Sequence, residues 1–180
     1  MLYPLAQMTQ ISFQPAFDAF HAVFRFLRLR TIVEAIGPLP YEKLRIMDFY
    51  VLFPHKIKDI RLTQKHQKFK RLSEKYSYMK PYGELPESRL LLERMGPMQI
   101  AAVQTLAAHR LVSSRALEQE EVRATETAVP PQLAERVTQL NNSQSDLIEF
   151  LTVLASEYQL SGDNGLKART GLMEHRYDAI

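Results

Sequence analysis

At 180 residues, 46% of them hydrophobic and 24% charged, the chain is long enough to bury a sizeable core without covalent staples. It has no cysteine, which excludes thiol catalysis, disulfide frameworks and cysteine-based zinc sites. The net charge of +3 is too small to imply nucleic acid by itself.

The length implies a single domain, with an N-terminal arm and helix (1–37), a helical core (38–129), and C-terminal helices with a tail (130–180). The first residues, MLYPLAQMTQISFQPAF, lack a basic leader and an uninterrupted apolar run, so they do not read as a signal peptide. No stretch approaches the roughly 18–20 apolar residues of a bilayer span. The expectation is a cytoplasmic protein with no membrane partner.

Residues 1–14 read as an irregular arm. From Pro15, Phe17, Phe20, Phe24 and Leu27 recur at helical spacing, with Ile32, Val33 and Ile36 extending the buried side. Arg25, Arg28 and Arg30 are expected to face solvent, and Gly37-Pro38 to end the helix. A second helix is expected over 40–53, with Pro40 opening it, Ile46, Phe49, Tyr50 and Phe53 on one face, and Leu44, Met47 and Val51 beside them. Its apolar residues cover most of its circumference, which predicts a central position before Pro54 breaks it.

The chain then turns basic. Between 56 and 75, eight positive residues (Lys56, Lys58, Arg61, Lys65, Lys68, Lys70, Arg71 and Lys75) stand against Asp59 and Glu74, an excess of six. The rest of the chain is therefore net negative. A loop is expected over 76–88. Leu90–Met95 begins a helix that Gly96-Pro97 should interrupt, and Ile100, Val103 and Ala107 predict a second short one. Two β-prone pieces around the acidic EQEE turn then predict a small hairpin within 111–127. Helix, helix, hairpin is the order of a winged-helix module. The predicted fold class is thus mainly α, with a winged-helix-like part and one β-hairpin.

Pro130-Pro131 predicts a helix with Leu133, Val137 and Leu140 inward, closed by Asn141-Asn142-Ser143. Leu147, Phe150, Leu151, Leu154 and Tyr158 give the cleanest amphipathic pattern in the chain. The tail from Ser161 is expected to be irregular, although Leu166, Leu172, Met173 and Tyr177 call for burial somewhere.

Motifs of catalysis are not found. The five histidines are dispersed, outside HExxH or other metal-ligand spacings, and no GxSxG, GxxxxGK[ST] or GxGxxG occurs. Neither an enzyme nor a cofactor or metal site is expected. Two binding candidates stand out. The basic residues Lys56, Lys58, Arg61, Lys65, Lys68, Lys70, Arg71 and Lys75 could neutralise phosphates, with Tyr76, Tyr78 and Tyr82 beside them to stack. In the tail motif GLKARTGL, Leu166, Lys167, Arg169 and Leu172 are candidates for docking a partner. Glu118, Glu120 and Glu121 at the tip of the expected wing would repel a phosphate backbone, which favours protein contact there.

Taken together, PLPYEKLRIMDFYVLFPHKIKDIRL (38–62) and GDNGLKARTGLMEHRYD (162–178) give the chain a likeness to a known family. It resembles the middle component of ABC-three-component systems, including the Lamassu-type bacterial defence systems. The anchoring motifs are LPYEKLRIMDFYVLFPH and GLKARTGL, neither of which has catalytic logic. The resemblance implies a non-catalytic adaptor between an SMC-like ABC ATPase and an effector subunit such as a nuclease, in anti-phage or anti-plasmid defence. Nonspecific DNA contacts by the basic stretch fit that role. The competing expectation is a stand-alone winged-helix transcriptional regulator, which would bind duplex DNA with sequence preference by itself.

Overall fold

The computed structural model describes residues 15–175, so the arm expected over 1–14 and the burial expected of Tyr177 lie outside the described residues. In chain order the elements are α1 (Ala19–Ile36), β1 (Leu39–Pro40), α2 (Tyr41–Leu52), α3 (Leu72–Lys75), α4 (Ser88–Ala108), α5 (Ser114–Leu117), β2 (Glu121–Val122), α6 (Pro131–Ser143), α7 (Ser145–Glu157) and α8 (Leu166–Thr170). Tight 3₁₀ turns at 54–59 and 64–71 join α2 to α3. Among the described residues the protein is mainly helical, with one small two-stranded antiparallel sheet.

α2 holds the centre, as its apolar circumference predicts. Leu44, Ile46, Met47, Phe49, Tyr50 and Val51 are all buried, and Phe53 just beyond the helix is buried with them. The Phe49 and Tyr50 rings meet edge to face at 5.2 Å, and Tyr50 meets Phe150 of α7 the same way at 6.3 Å. Such pairs add about 0.5–1.5 kcal/mol beyond the area they bury. α7 presents Leu147, Phe150, Leu151 and Leu154 to this centre, all fully buried, and Tyr158 closes the row.

α1 departs from its expected face. Phe17 precedes the helix, Phe20 is 86% exposed and Ile36 is 38% exposed, whereas Arg25, Arg28 and Arg30 are buried. The reason lies in distant partners. Arg25 donates to both carboxylate oxygens of Asp48 on α2, at 2.6 and 3.1 Å, and to the Pro15 carbonyl at 3.0 Å. Asp48 also accepts from Gln99 of α4 at 2.9 Å. Arg28 donates to Asn141 and Gln144 at the α6–α7 junction, and burial lowers its pKa to about 10. Arg30 donates to the carbonyls of Leu111, Thr125 and Thr127. Each guanidinium ties α1 to a different part of the chain, and a buried charge is tolerated only when it is paired and hydrogen-bonded like this.

Two expected helices are one. α4 runs unbroken from Ser88 to Ala108 with Pro97 inside it. Glu93 and Pro97 are both exposed, so the carbonyl deprived of its partner by proline faces water, and the packing of α4 along α1 holds the helix together. Val103 is buried, but Ile100 is 37% exposed.

The 111–127 segment also differs in detail from a simple hairpin. Val112 and Ala124 are bridged, but residues between them form the single turn α5, capped by the Ser113 hydroxyl. The regular strand, β2, pairs with β1 in the register Leu39 to Val122 and Pro40 to Glu121. The two expected helices are thus the one helix α4, and the expected hairpin is the antiparallel pairing of 111–113 with 123–125, beside which β2 reaches back some eighty residues to β1.

α6 extends through Asn141–Ser143, which form its last turn, and the chain bends at Gln144 before α7. The tail is more ordered than expected, since Leu166–Thr170 form a helical turn.

Candidate functional site

The basic stretch wraps across α7. Phe69 meets Phe150 in a tilted ring contact with centroids 5.3 Å apart, and Leu62 and Leu72 of the same stretch are buried as well. This apolar seam brings charges of opposite sign together. Lys65 pairs with Glu157, Lys68 with Glu149 at 3.0 Å, and Lys75 with Asp146. Three α7 carboxylates therefore cut the local excess of positive charge from six to three. The Lys65 ammonium holds the Glu157 carboxyl below the usual carboxylate range. Burial opposes the same shift at Asp146, but hydrogen bonds from Lys75, Tyr76 and the Leu147 amide prevail and lower its pKa. Tyr76 is buried and donates to Asp146 at 2.5 Å, so it is not available to stack, whereas Tyr78 and Tyr82 are exposed.

The remaining members of the stretch divide. Arg61 is built into the tail, donating from its guanidinium to Ala168 O at 2.7 Å and from its amide to Arg169 O at 3.0 Å. Among the described residues, Lys56, Lys58, Lys70 and Arg71 have no carboxylate partner. They are the cations left for something outside the chain.

The tail motif meets its own chain. Leu166 and Leu172 are 0% and 2% exposed, so the apolar side chains expected to seek a partner are buried at home. Lys167 pairs with Glu42 of α2 at 2.8 Å. Arg169 donates to the carbonyls of Arg61 and Asn164, both at 2.6 Å, and its guanidinium lies 5.3 Å from the centre of the Tyr158 ring. The turn entering α8 needs a glycine, because a Cβ at Gly165 would lie 2.3 Å from the Ser161 carbonyl oxygen. Lys43 completes the anchorage, donating from α2 to the carbonyls of Ala155 and Tyr158 where α7 ends. Burial lowers the pKa of Lys43. Within this chain the tail forms an internal clasp, with Leu166 and Leu172 inside the core and Lys167 and Arg169 bound to groups of the same chain.

The expected acidic tip is present on the surface. Glu118 and Glu120 are exposed, while Glu121 pairs with Arg123 at 3.0 Å.

Concave sites among the described residues include two of note. One, of about 430 Å³, lies beside the 159–165 turn. There His66 sits between Glu157, 3.4 Å from Nε2, and the Tyr158 hydroxyl, 2.8 Å from Nδ1. That hydroxyl also accepts from the Thr63 amide and meets the Thr63 hydroxyl, each at 3.1 Å, so it is occupied as a structural knot.

The other is an apolar groove of about 710 Å³ between the 15–17 turn, the end of α2, the 79–86 loop and the start of α4. Phe17, Leu52, Phe53, Met79, Tyr82 and Leu91 line it. Sequence reasoning passed over this groove because prolines and glycine mark 76–88 only as a loop. The available signal was aromatic residues in a loop, which by itself cannot bury them. Beside it His55 is buried with neither ring nitrogen hydrogen-bonded in the structure, and its ring stands edge-on to Phe53 at 6.1 Å. Burial first, then the charges of Lys56, Lys80 and Lys58, lower its pKa.

These features define a small helical scaffold whose concave surface and unpaired cations suit binding. The chain matches the family model described as ABC-three component (ABC-3C) system Middle Component 5 over residues 11–178, and it belongs to that family. No curated protein and no solved structure matches it. Among the described residues, no helix is long and apolar enough to cross a membrane.

Proposed function

We propose that this middle component is a non-catalytic, cytoplasmic adaptor. It joins an SMC-like ABC ATPase to an effector subunit, such as a nuclease, in anti-phage or anti-plasmid defence of the Lamassu type. The observation that carries the reading is the family match, which extends over nearly the whole chain. The architecture supports it. Buried arginines and the clasped tail tie the helices to one another through hydrogen bonds. The basic stretch has a narrower role here than its charge count suggests. Nonspecific DNA contact falls to the cations of the stretch without a carboxylate partner among the described residues, Lys70 and Arg71 among them.

Co-expression of the full chain with the other components encoded beside it tests the reading. A complex of fixed stoichiometry in size-exclusion chromatography with light scattering is expected. The isolated chain should turn over neither ATP nor DNA. Failure to assemble, or an activity of the isolated chain lost on mutating one of its own acids, refutes it.

A further inference from the structure

The groove and the lysines next to it form one surface. Phe17 and Tyr82 at its mouth are 38% and 107% exposed, although the groove they flank is apolar. Its volume of about 710 Å³ falls within the range of roughly 300–1,000 Å³ common to binding pockets. Large aromatic side chains left in water around an apolar concavity mark a site of association.

Three lysines stand close in the chain to residues that line the groove. Lys80 stands between the lining residues Met79 and Pro81, and Lys56 and Lys58 follow the lining residue Phe53 in the 54–59 turn. Phe53 meets the His55 ring edge-on at 6.1 Å, and His55 lies in the same turn that carries Lys56 and Lys58 together with the acidic Asp59. Unlike Lys65, Lys68 and Lys75, none of these three lysines has a carboxylate partner among the described residues. Glu84 and Arg94, one charge of each sign, also line the groove.

We propose that this groove seats an apolar peptide segment of another polypeptide flanked by Asp or Glu. Its apolar side chains enter between Phe17 and Tyr82, and its carboxylates lie over Lys56, Lys58 and Lys80. The assignment rests on the middle-component reading and names the chemistry of one partner contact. Charge complementarity selects this occupant. A nucleic-acid duplex, its bases already stacked on one another, would meet the lysines with its phosphates and leave the apolar groove empty. A second copy related by a two-fold axis would set lysines against lysines.

Selection of a displayed random-peptide library on the purified full chain tests the assignment. Enriched peptides should combine apolar anchors with neighbouring Asp or Glu. Affinity for a labelled representative should fall at least about tenfold in Phe17→Ser/Tyr82→Ala, and again in Lys56→Glu/Lys58→Glu/Lys80→Glu. These side chains are exposed or half-buried, so circular dichroism should show an unchanged fold. Several results would overturn the proposal: no enrichment, uncharged or basic consensus peptides, or affinity indifferent to both sets of substitutions. Competition by a short DNA duplex, or a dimer abolished by Tyr82→Ala, would give the surface to another occupant. So would equal binding of a synthetic peptide of residues 1–14, which carries no charged side chain. If the components assemble while peptide binding fails, only the groove assignment falls. If wild-type chain does not assemble at all, the adaptor reading falls separately.

Discussion

Replacing Asp48 with alanine tests the buried ionic centre on which the helix packing depends. Asp48 is fully buried and receives two hydrogen bonds from Arg25, itself only 5% exposed. Removing the carboxylate leaves the guanidinium in the core with the Pro15 carbonyl as its one partner among the described residues, and Gln99 loses an acceptor as well. Stranding one member of such a pair costs about 3–5 kcal/mol. For a chain of this length that corresponds to a fall in melting temperature of about 6–20 °C, at roughly 2–4 °C per kcal/mol. Urea unfolding followed by circular dichroism should show the midpoint moving with the slope unchanged. The double change Arg25→Met/Asp48→Leu removes both charges together and should recover most of the loss, because apolar replacements of a whole buried pair are often neutral or stabilising. A loss below about 1 kcal/mol in Asp48→Ala would refute the reasoning by showing that water or another group reaches Arg25. A double variant as weak as the single one would mean that shape, not stranded charge, sets the cost.

Gly96 lies within α4, and an added Cβ would meet only Arg45 Nη2 at an ordinary 3.5 Å, so Gly96→Ala should stabilise the protein by about 0.5–1 kcal/mol. A lower denaturation midpoint would show that the helix needs glycine there. His55 has a folded-state pKa below its ordinary 6.5, so as pH falls through 6.5 the unfolded chain binds a proton that the folded chain resists, and stability is lost. His55→Leu should therefore lose less stability than wild type between pH 7 and 5, and parallel curves would contradict the shift. If Lys70 and Arg71 each touch a phosphate in the assembled complex, Lys70→Gln/Arg71→Gln should lower the log–log salt slope of DNA binding by about 1.8, at roughly 0.9 per contact. An unchanged slope would remove DNA from the role of these residues.

The central and C-terminal helices were legible in the sequence by itself. In α2 and α7 the apolar residues recur at the period of the helix, and burying them requires nothing beyond local geometry. The linear motifs around 38–62 and 162–178 likewise carried the family. Other features depended on residues far away in the chain. Arginines normally face water, so nothing local in α1 reveals that Asp48, Asn141 and the Leu111 carbonyl stand ready to receive three of them. Gly96-Pro97 is a local breaker, but contact with α1 and hydration of the exposed side carry the helix through it. The strand at 121–122 has β propensity that leaves its partner undefined until β1 is brought alongside. Charge shows the same division. A count over 56–75 gives an excess of six, but only the folded chain sets Glu149, Glu157 and Asp146 of α7 against three of those lysines. Propensity and periodicity act over a few residues, whereas desolvated charges and ion pairs are decided by whichever distant group arrives within hydrogen-bond reach.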